Sequence, residues 1–313
     1  MIRLHDLYRR LKEKGYKRIA LQAPEGLKRK LPTIASDLRS QGFDVIISGD
    51  PCYGACDLDL CARDNADVLV HIGHTPVDHT ERVLYEPWKV DAALDVIHDV
   101  IPLLSGSKAG LVTTVQHAHL LPAAAQILHQ AGIEAIIAEA SPRTPLRGQV
   151  LGCSFDGARK TGEKEIIFLG TGLFHPIGIR LATSARVFAC DPITREINEP
   201  DADRLLRIRF ALIEKARKAE SFGILVSEKT GQCRIETAEK LCSLSPRAYI
   251  VMIREVTPDQ LLNLGFQCFV NTACPRLAYD DQTRFPVPVL TPAEFEILCG
   301  IREFEDYEID EIL

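Results

Sequence analysis

A pattern that recurs three times along the 313 residues constrains this chain more than any other feature. A short apolar stretch leads into a polar loop, then an amphipathic helical stretch, then a second apolar stretch. In the first copy these are residues 18–22, a loop with Gln22, Glu25 and Gly26, a helix carrying Leu27, Leu31, Ile34, Ala35 and Leu38 on one face, and residues 45–47. The second copy runs through 110–114, a loop with Gln116, His117 and His119, a helix to Gln130, and 135–138. The third has 222–226, a loop with Lys229, Gly231 and Gln232, a helix through Leu241, and 249–253. Each copy then offers a third apolar stretch, at 68–70, 166–169 and 268–270.

Strands that are apolar along their whole length are buried on both faces. Their alternation with amphipathic helices predicts an α/β chain of three related domains, with parallel sheets flanked by helices. The expected boundaries are 1–104, 105–205 and 206–313, at the Ser105, Gly106, Ser107 punctuation and in the charged helix 201–220. Open parallel sheets bind ligands beyond the carboxyl ends of their strands. Three such domains around a common centre would aim three sets of loops at one cavity.

Net charge is −6, so no global basic field exists to hold nucleic acid or an anionic membrane. Residues 1–12 read as an amphipathic helix with Leu4, Leu7, Tyr8 and Leu11 on one face, not as a signal peptide, and no apolar stretch reaches the length of a membrane span. A cytoplasmic protein is expected, with neither membrane nor direct nucleic-acid contact. Ten cysteines in a reducing compartment then ask for a use other than disulfides. Packing accounts for about half of them, because free cysteine behaves as a small hydrophobe. Metal, cluster or catalytic work is the reading for the rest.

Cys56, Cys153 and Cys274 occupy comparable places, in loops beyond strands of successive domains. Ala55, Gly152 and Ala273 directly precede them, which leaves room for a bulky inorganic group. Soft thiolates select iron–sulfur clusters, zinc or copper over hard ions. A local alternative is Cys52, Cys56 and Cys61, spaced Cys-x3-Cys-x4-Cys. The usual radical S-adenosylmethionine spacing, Cys-x3-Cys-x2-Cys, would need a cysteine where Asp59 stands, and Cys61 reads as a core residue of a helical turn. No pair has the Cys-x2-Cys spacing of a zinc ribbon. Gly170, Thr171, Gly172 lacks the third glycine of a dinucleotide loop, and no phosphate loop is present. His71, His74 and His79 follow one strand and His117 and His119 another, a placement compatible with substrate binding.

The stretches 53–57 (Tyr-Gly-Ala-Cys-Asp), 148–153 (Gly-Gln-Val-Leu-Gly-Cys) and 271–281 (Asn-Thr-Ala-Cys-Pro-Arg-Leu-Ala-Tyr-Asp-Asp), supported by 71–74 (His-Ile-Gly-His), resemble the archaeal 2-(3-amino-3-carboxypropyl)histidine synthases. These are radical S-adenosylmethionine enzymes outside the usual barrel fold, and they begin diphthamide biosynthesis. The resemblance covers nearly the whole chain. It implies three α/β domains, each giving one cysteine to a central 4Fe-4S cluster, with Cys56, Cys153 and Cys274 as ligands, in a homodimer. Cys52 is an extra cysteine beside the first motif. The implied enzyme is a transferase that cleaves S-adenosylmethionine reductively, using an unidentified electron donor. It moves the 3-amino-3-carboxypropyl group to a histidine of translation elongation factor two and releases methylthioadenosine. Candidates for binding S-adenosylmethionine are Gln22, Glu25, Gly26, Gln116, His117, Lys229, Gly231 and Gln232, in the loops after the first strand of each domain. The alternative is a non-catalytic iron–sulfur or metal-binding scaffold.

Overall fold

The computed structural model describes residues 4–312. Its thirteen named strands form three sheets. The first contains β1 (Arg18–Gln22), β2 (Asp44–Ile47), β3 (Val68–Gly73) and β4 (Val83–Pro87) in the order β2-β1-β3-β4. The second contains β5 (Lys108–Thr113), β6 (Glu134–Ile136), β7 (Glu165–Leu169), β8 (Arg186–Cys190) and β9 (Ile197–Asn198) in the order β6-β5-β7-β8-β9. The third contains β10 (Phe222–Ser227), β11 (Ala248–Ile253), β12 (Cys268–Asn271) and β13 (Val289–Leu290) in the order β11-β10-β12-β13. All pairs are parallel except β8 with β9.

The three sheets therefore share one topology, as the repeated pattern predicts. In each, the first strand lies between the second and third, so the crossovers leave to opposite sides and a crevice opens at the carboxyl ends. The central strands β3, β7, β10 and β12 are buried at every residue, which is why they read as unbroken apolar runs. Strands β4, β8, β9 and β13 add to the expected set. Two-residue β9 and β13 are too short to leave a periodic signal, and β4 is half-buried throughout.

The helix expected over 1–12 is seen at Leu4–Glu13, where it buries Leu7 and Leu11 on the first sheet; residues 1–3 lie outside the described residues. Two segments pack across the expected boundaries. Helix Asp95–Val100 puts Val96, Ile97 and Val100 into the core of the second sheet. The carboxyl-terminal residue Ile309 joins the same sheet's other face. Among the described residues, no helix is long and apolar enough to cross a membrane.

The third domain is tied to its leading helix, Ala202–Ala216, by a buried charge pair. Arg209 Nε donates to Glu294 Oε1 at 2.7 Å, and its terminal nitrogens donate to the carbonyls of Ala278 and Val289. Glu294 also accepts from the backbone of Thr291 in a capping box and from the Tyr307 hydroxyl. Every charged atom is thus matched, the condition for a buried pair to be tolerated. Arg209→Leu should destabilise the protein by about 3–5 kcal/mol, because it strands a buried carboxylate. Adding Glu294→Gln should recover part of that loss. Urea unfolding of the two variants checks both statements.

Candidate active site: a cavity shared by three loops

The first thiol is delivered by the loop after β2. Ser48 donates to Asp59 at 2.6 Å, Asp59 caps helix Leu60–Asp64, and buried Gln22 donates to the carbonyl of Asp57 at 2.8 Å. These bonds fold the loop back over the sheet and hold Cys56 at its end. The second thiol comes after β6, where a turn at Gly148 (φ 68°) brings the chain back beside Thr113 and on to Cys153. The third follows β12 at once. Asn271 accepts from the backbone of Ala273 at 3.0 Å and donates to the carbonyl of Cys274 at 2.8 Å, which fixes the turn.

The three cysteines line one cavity of about 260 Å³. The domains are locked together around it. Gln232 Nε2 donates to Cys56 Sγ at 3.1 Å, across the first and third domains. Lys229 bridges Asp57 at 3.0 Å and Glu255 at 2.7 Å in the same interface. Gly231 lies so close that a Cβ there would sit 2.5 Å from the Cβ of Cys56, so no side chain fits. Gln149 donates to Thr75 at 2.8 Å, joining second and first domains. The carboxyl-terminal strand of chain joins second and third. Asp310 pairs with Arg234 at 2.7 Å, and the backbone of Ile312 donates to the carbonyl of Cys153 at 2.8 Å.

Burial pushes the thiols of Cys56, Cys153 and Cys274 up, Cys274 to about 12. Charge on Cys56 raises the other two further, and charge on Cys153 raises Cys274. A nucleophilic cysteine needs the opposite setting, a lowered value. Three thiolates can share this cavity only with positive charge among them, which a thiophilic metal group supplies.

A histidine pair runs from the core to the cavity wall, with His71 buried and His74 lining the cavity. Gln22 Oε1 faces His71 Nδ1 at 3.0 Å, and His71 Nε2 faces His74 Nδ1 at 2.9 Å. Burial holds both rings neutral, with His71 lowered to about 3 and His74 to about 4. The Gln22 amide nitrogen is engaged with Asp57, so its oxygen accepts from His71 Nδ1–H. His71 Nε2 then accepts from His74 Nδ1–H, and His74 Nε2 is left as an acceptor. His74 and His175 both line the cavity. His175 is stacked on Phe168 at 5.6 Å, and burial lowers it to about 4.

Of the eight polar candidates after the first strands, Gln116 lines the cavity. Lys229, Gly231 and Gln232 instead hold the Cys56 loop, and Gln22 supports it from beneath. His117 turns away to the carbonyl of Val90 at 3.1 Å, and Glu25 and Gly26 are exposed, with Glu25 paired to Lys28. Cys52 is buried and does not line the cavity. Cys61, expected in the core, is exposed, because Ala62 is the helix residue that faces inward. Gly152 packs against Phe174, which a Cβ would meet at 2.7 Å. Sequence reasoning did not assign His175, Arg143 or Arg276 to the site; His175 and Arg276 reach the cavity from the first turns of helices Phe174–Thr183 and Arg276–Tyr279 and Arg143 from a loop, placements that no periodicity reports.

The profile of the diphthamide synthesis proteins matches residues 23–308. The 2-(3-amino-3-carboxypropyl)histidine synthase of Pyrococcus horikoshii is 37% identical over 98% of this chain and 92% of its own length. The enzyme of the same name from Methanocaldococcus jannaschii is 26% identical over 96% of this chain and 88% of its own. The crystal structure of Dph2 from Pyrococcus horikoshii with a 4Fe-4S cluster superposes with a TM-score of 0.94 at 35% identity, covering 100% of this chain and 94% of that one.

The neutral histidines set a pH dependence of stability. A histidine whose folded pKa lies below its unfolded value, near 6.5, binds its proton only on unfolding, so stability is complete above that value and falls as pH drops through it. His71 and His175 both have this sense. The urea midpoint should fall steadily between pH 6.5 and 5, as the unfolding free energy drops by about 1.4 kcal/mol per pH unit for each proton taken up. A midpoint that stays level across this window would contradict neutral burial of the rings.

Proposed function

The chain belongs to the family of diphthamide synthesis proteins and is a transferase of the 3-amino-3-carboxypropyl group; we propose that its cavity holds one 4Fe-4S cluster on Cys56, Cys153 and Cys274. S-adenosylmethionine is the donor, a histidine of translation elongation factor two is the acceptor, and methylthioadenosine leaves. The observation that carries this reading is that thiols from three separate sheets line one cavity. Among the described residues, no three His, Cys, Asp or Glu side chains close on a single metal ion. Thiols spread around a space suit a group with several metal atoms better than one zinc, and three thiolates on four irons leave one iron for substrate.

When bound, the cluster supplies the electron that reductively cleaves the sulfonium carbon–sulfur bond, drawn from an external donor. The chain's own work is placement. Gln232 and Gly231 hold the Cys56 sulfur and its backbone, and the Asn271 turn aims Cys274. His74 offers a neutral acceptor to the donor or to the target imidazole. A cluster that keeps its position within a fraction of an ångström selects which carbon–sulfur bond lies nearest to it.

Ten free cysteines fit a reducing cytoplasm. The division into domains 1–104, 105–205 and 206–313 is kept as part of this proposal, with two segments reassigned. Helix Asp95–Val100 and the residues around Ile309 belong by packing to the second. The protein forms a homodimer through the free edge of β11. Tyr249, Ile250 and Met252 are 58%, 36% and 53% exposed there, beside exposed Leu262 and Leu264, while neighbouring β10 is fully buried. An unpaired apolar edge of this kind is suited to pairing with its own copy across a two-fold axis.

Anaerobic incubation with dithionite, labelled S-adenosylmethionine and the elongation factor should place label on one histidine; absence of label would overturn the reading. Cys56→Ala, Cys153→Ala and Cys274→Ala should each lose iron and methylthioadenosine formation, while Cys52→Ala and Cys61→Ala keep both. Gly231→Ala should lower iron content with little change in circular dichroism, since it displaces the Cys56 backbone and not a core. Met252→Lys should shift the sedimentation coefficient to that of a monomer, with iron content unchanged.

A further inference from the structure

Among the described residues, the cations around the cavity are matched to carboxylates with one exception. Arg276 is held by Asp280 at 2.6 Å and lies over the Phe174 ring at 4.6 Å. Lys229 is shared by Asp57 and Glu255, and Arg234 is paired with Asp310. Arg143 also lines the cavity and has no carboxylate partner. Its Nε is buried with no hydrogen-bond partner at all, and one terminal nitrogen approaches Cys153 Sγ at 3.9 Å. Arg143 as a whole is half-buried, and a guanidinium nitrogen withdrawn from water without a partner is costly unless a ligand supplies one.

The backbone that carries Arg143 is built to hold it still. Ser141 and Thr144 exchange both backbone hydrogen bonds, at 2.9 and 3.1 Å, and their hydroxyls meet at 2.8 Å. Pro142 and Pro145 stiffen the same turn. A side chain mounted on a closed, proline-flanked turn and aimed into a cavity loses little freedom on binding.

We propose that Arg143 binds the α-carboxylate of the donor's aminocarboxypropyl group. This rests on the reading of the cavity as an S-adenosylmethionine site. A guanidinium presents Nε–H and a terminal N–H as a fork that matches a carboxylate bidentately, and here Nε is the atom left without a partner. Anchoring the carboxylate beside Cys153 places the reacting carbon chain, rather than the ribose, next to one of the thiols that line the cavity. Arg143 is thereby a determinant of which sulfonium bond is presented for cleavage.

The test is equilibrium binding of S-adenosylmethionine and of its decarboxylated analogue to anaerobically reconstituted protein, with iron counted in each sample. Arg143→Gln should weaken binding of S-adenosylmethionine on the order of 10- to 100-fold, the range for a charge-assisted pair, and leave the decarboxylated analogue unchanged. Should Arg143→Gln shed iron, Arg143→Lys keeps the positive charge beside Cys153. It must still narrow the preference for the carboxylate-bearing ligand. Equal weakening of both ligands, or of neither, would overturn the assignment and leave Arg143 as a support for Cys153. Wild-type protein that retains iron and binds neither ligand would overturn the donor site itself, a result distinguishable from failure of Arg143 alone.

Discussion

Three thiols that repel one another as thiolates have to be held around one cavity by parts of the chain far apart in sequence. Each sheet alone can bury its core, but none can position more than one of these sulfurs. The contacts between domains are accordingly polar and directional: Gln232 to Cys56, Lys229 to Asp57, Gln149 to Thr75, Arg234 to Asp310. Hydrophobic burial is non-directional and would tolerate sliding of one domain on another. Buried charge-assisted bonds tolerate it poorly, because a small shift leaves a charge unmatched.

The same cavity is kept electrically specific by what is neutral around it. His71, His74 and His175 are all held below the usual histidine range by burial, so they add no positive charge that would draw the thiols toward ionisation on their own. The matched cations Arg276, Arg234 and Lys229 are spent on carboxylates of the fold. Arg143, Arg234 and Arg276 favour the thiolates, yet burial still holds the thiols up, so further positive charge is needed to ionise all three. Ligation is therefore coupled to proton release, and a protein that has lost its metal keeps protonated thiols in an intact frame.

How far the sequence could be read follows from what each residue does. The central strands were legible because burial on both faces leaves an unbroken apolar run, and the three cysteines because each stands in a loop beyond such a run. Gln22 and His117 sit in the same kind of loop and are read from sequence as candidate substrate contacts, but neither lines the cavity. Their side chains turn inward to satisfy backbone groups, Asp57 and Val90, and nothing in composition distinguishes a polar residue that faces a ligand from one that faces the chain. Gly231 and Gln232 were found for the wrong reason, since their partner is Cys56 itself. Arg143 was illegible because its importance is the absence of a carboxylate nearby, a property of packing between loops.

The asymmetry of the site has a topological source. In each domain the loop after the third strand opens at the crevice. These loops contribute His74 after β3, His175 after β7 and Cys274 after β12, all lining the cavity. The loops after the second strands must fold back from a sheet edge to reach it. They contribute Cys56 after β2, Cys153 after β6, and, after β11, Glu255, which reaches Lys229 rather than the cavity. The threefold plan is thus occupied by two kinds of position carrying different chemistry. Drawing two of the thiols from second-strand loops leaves the third-strand positions of the first two domains to the neutral imidazoles of His74 and His175.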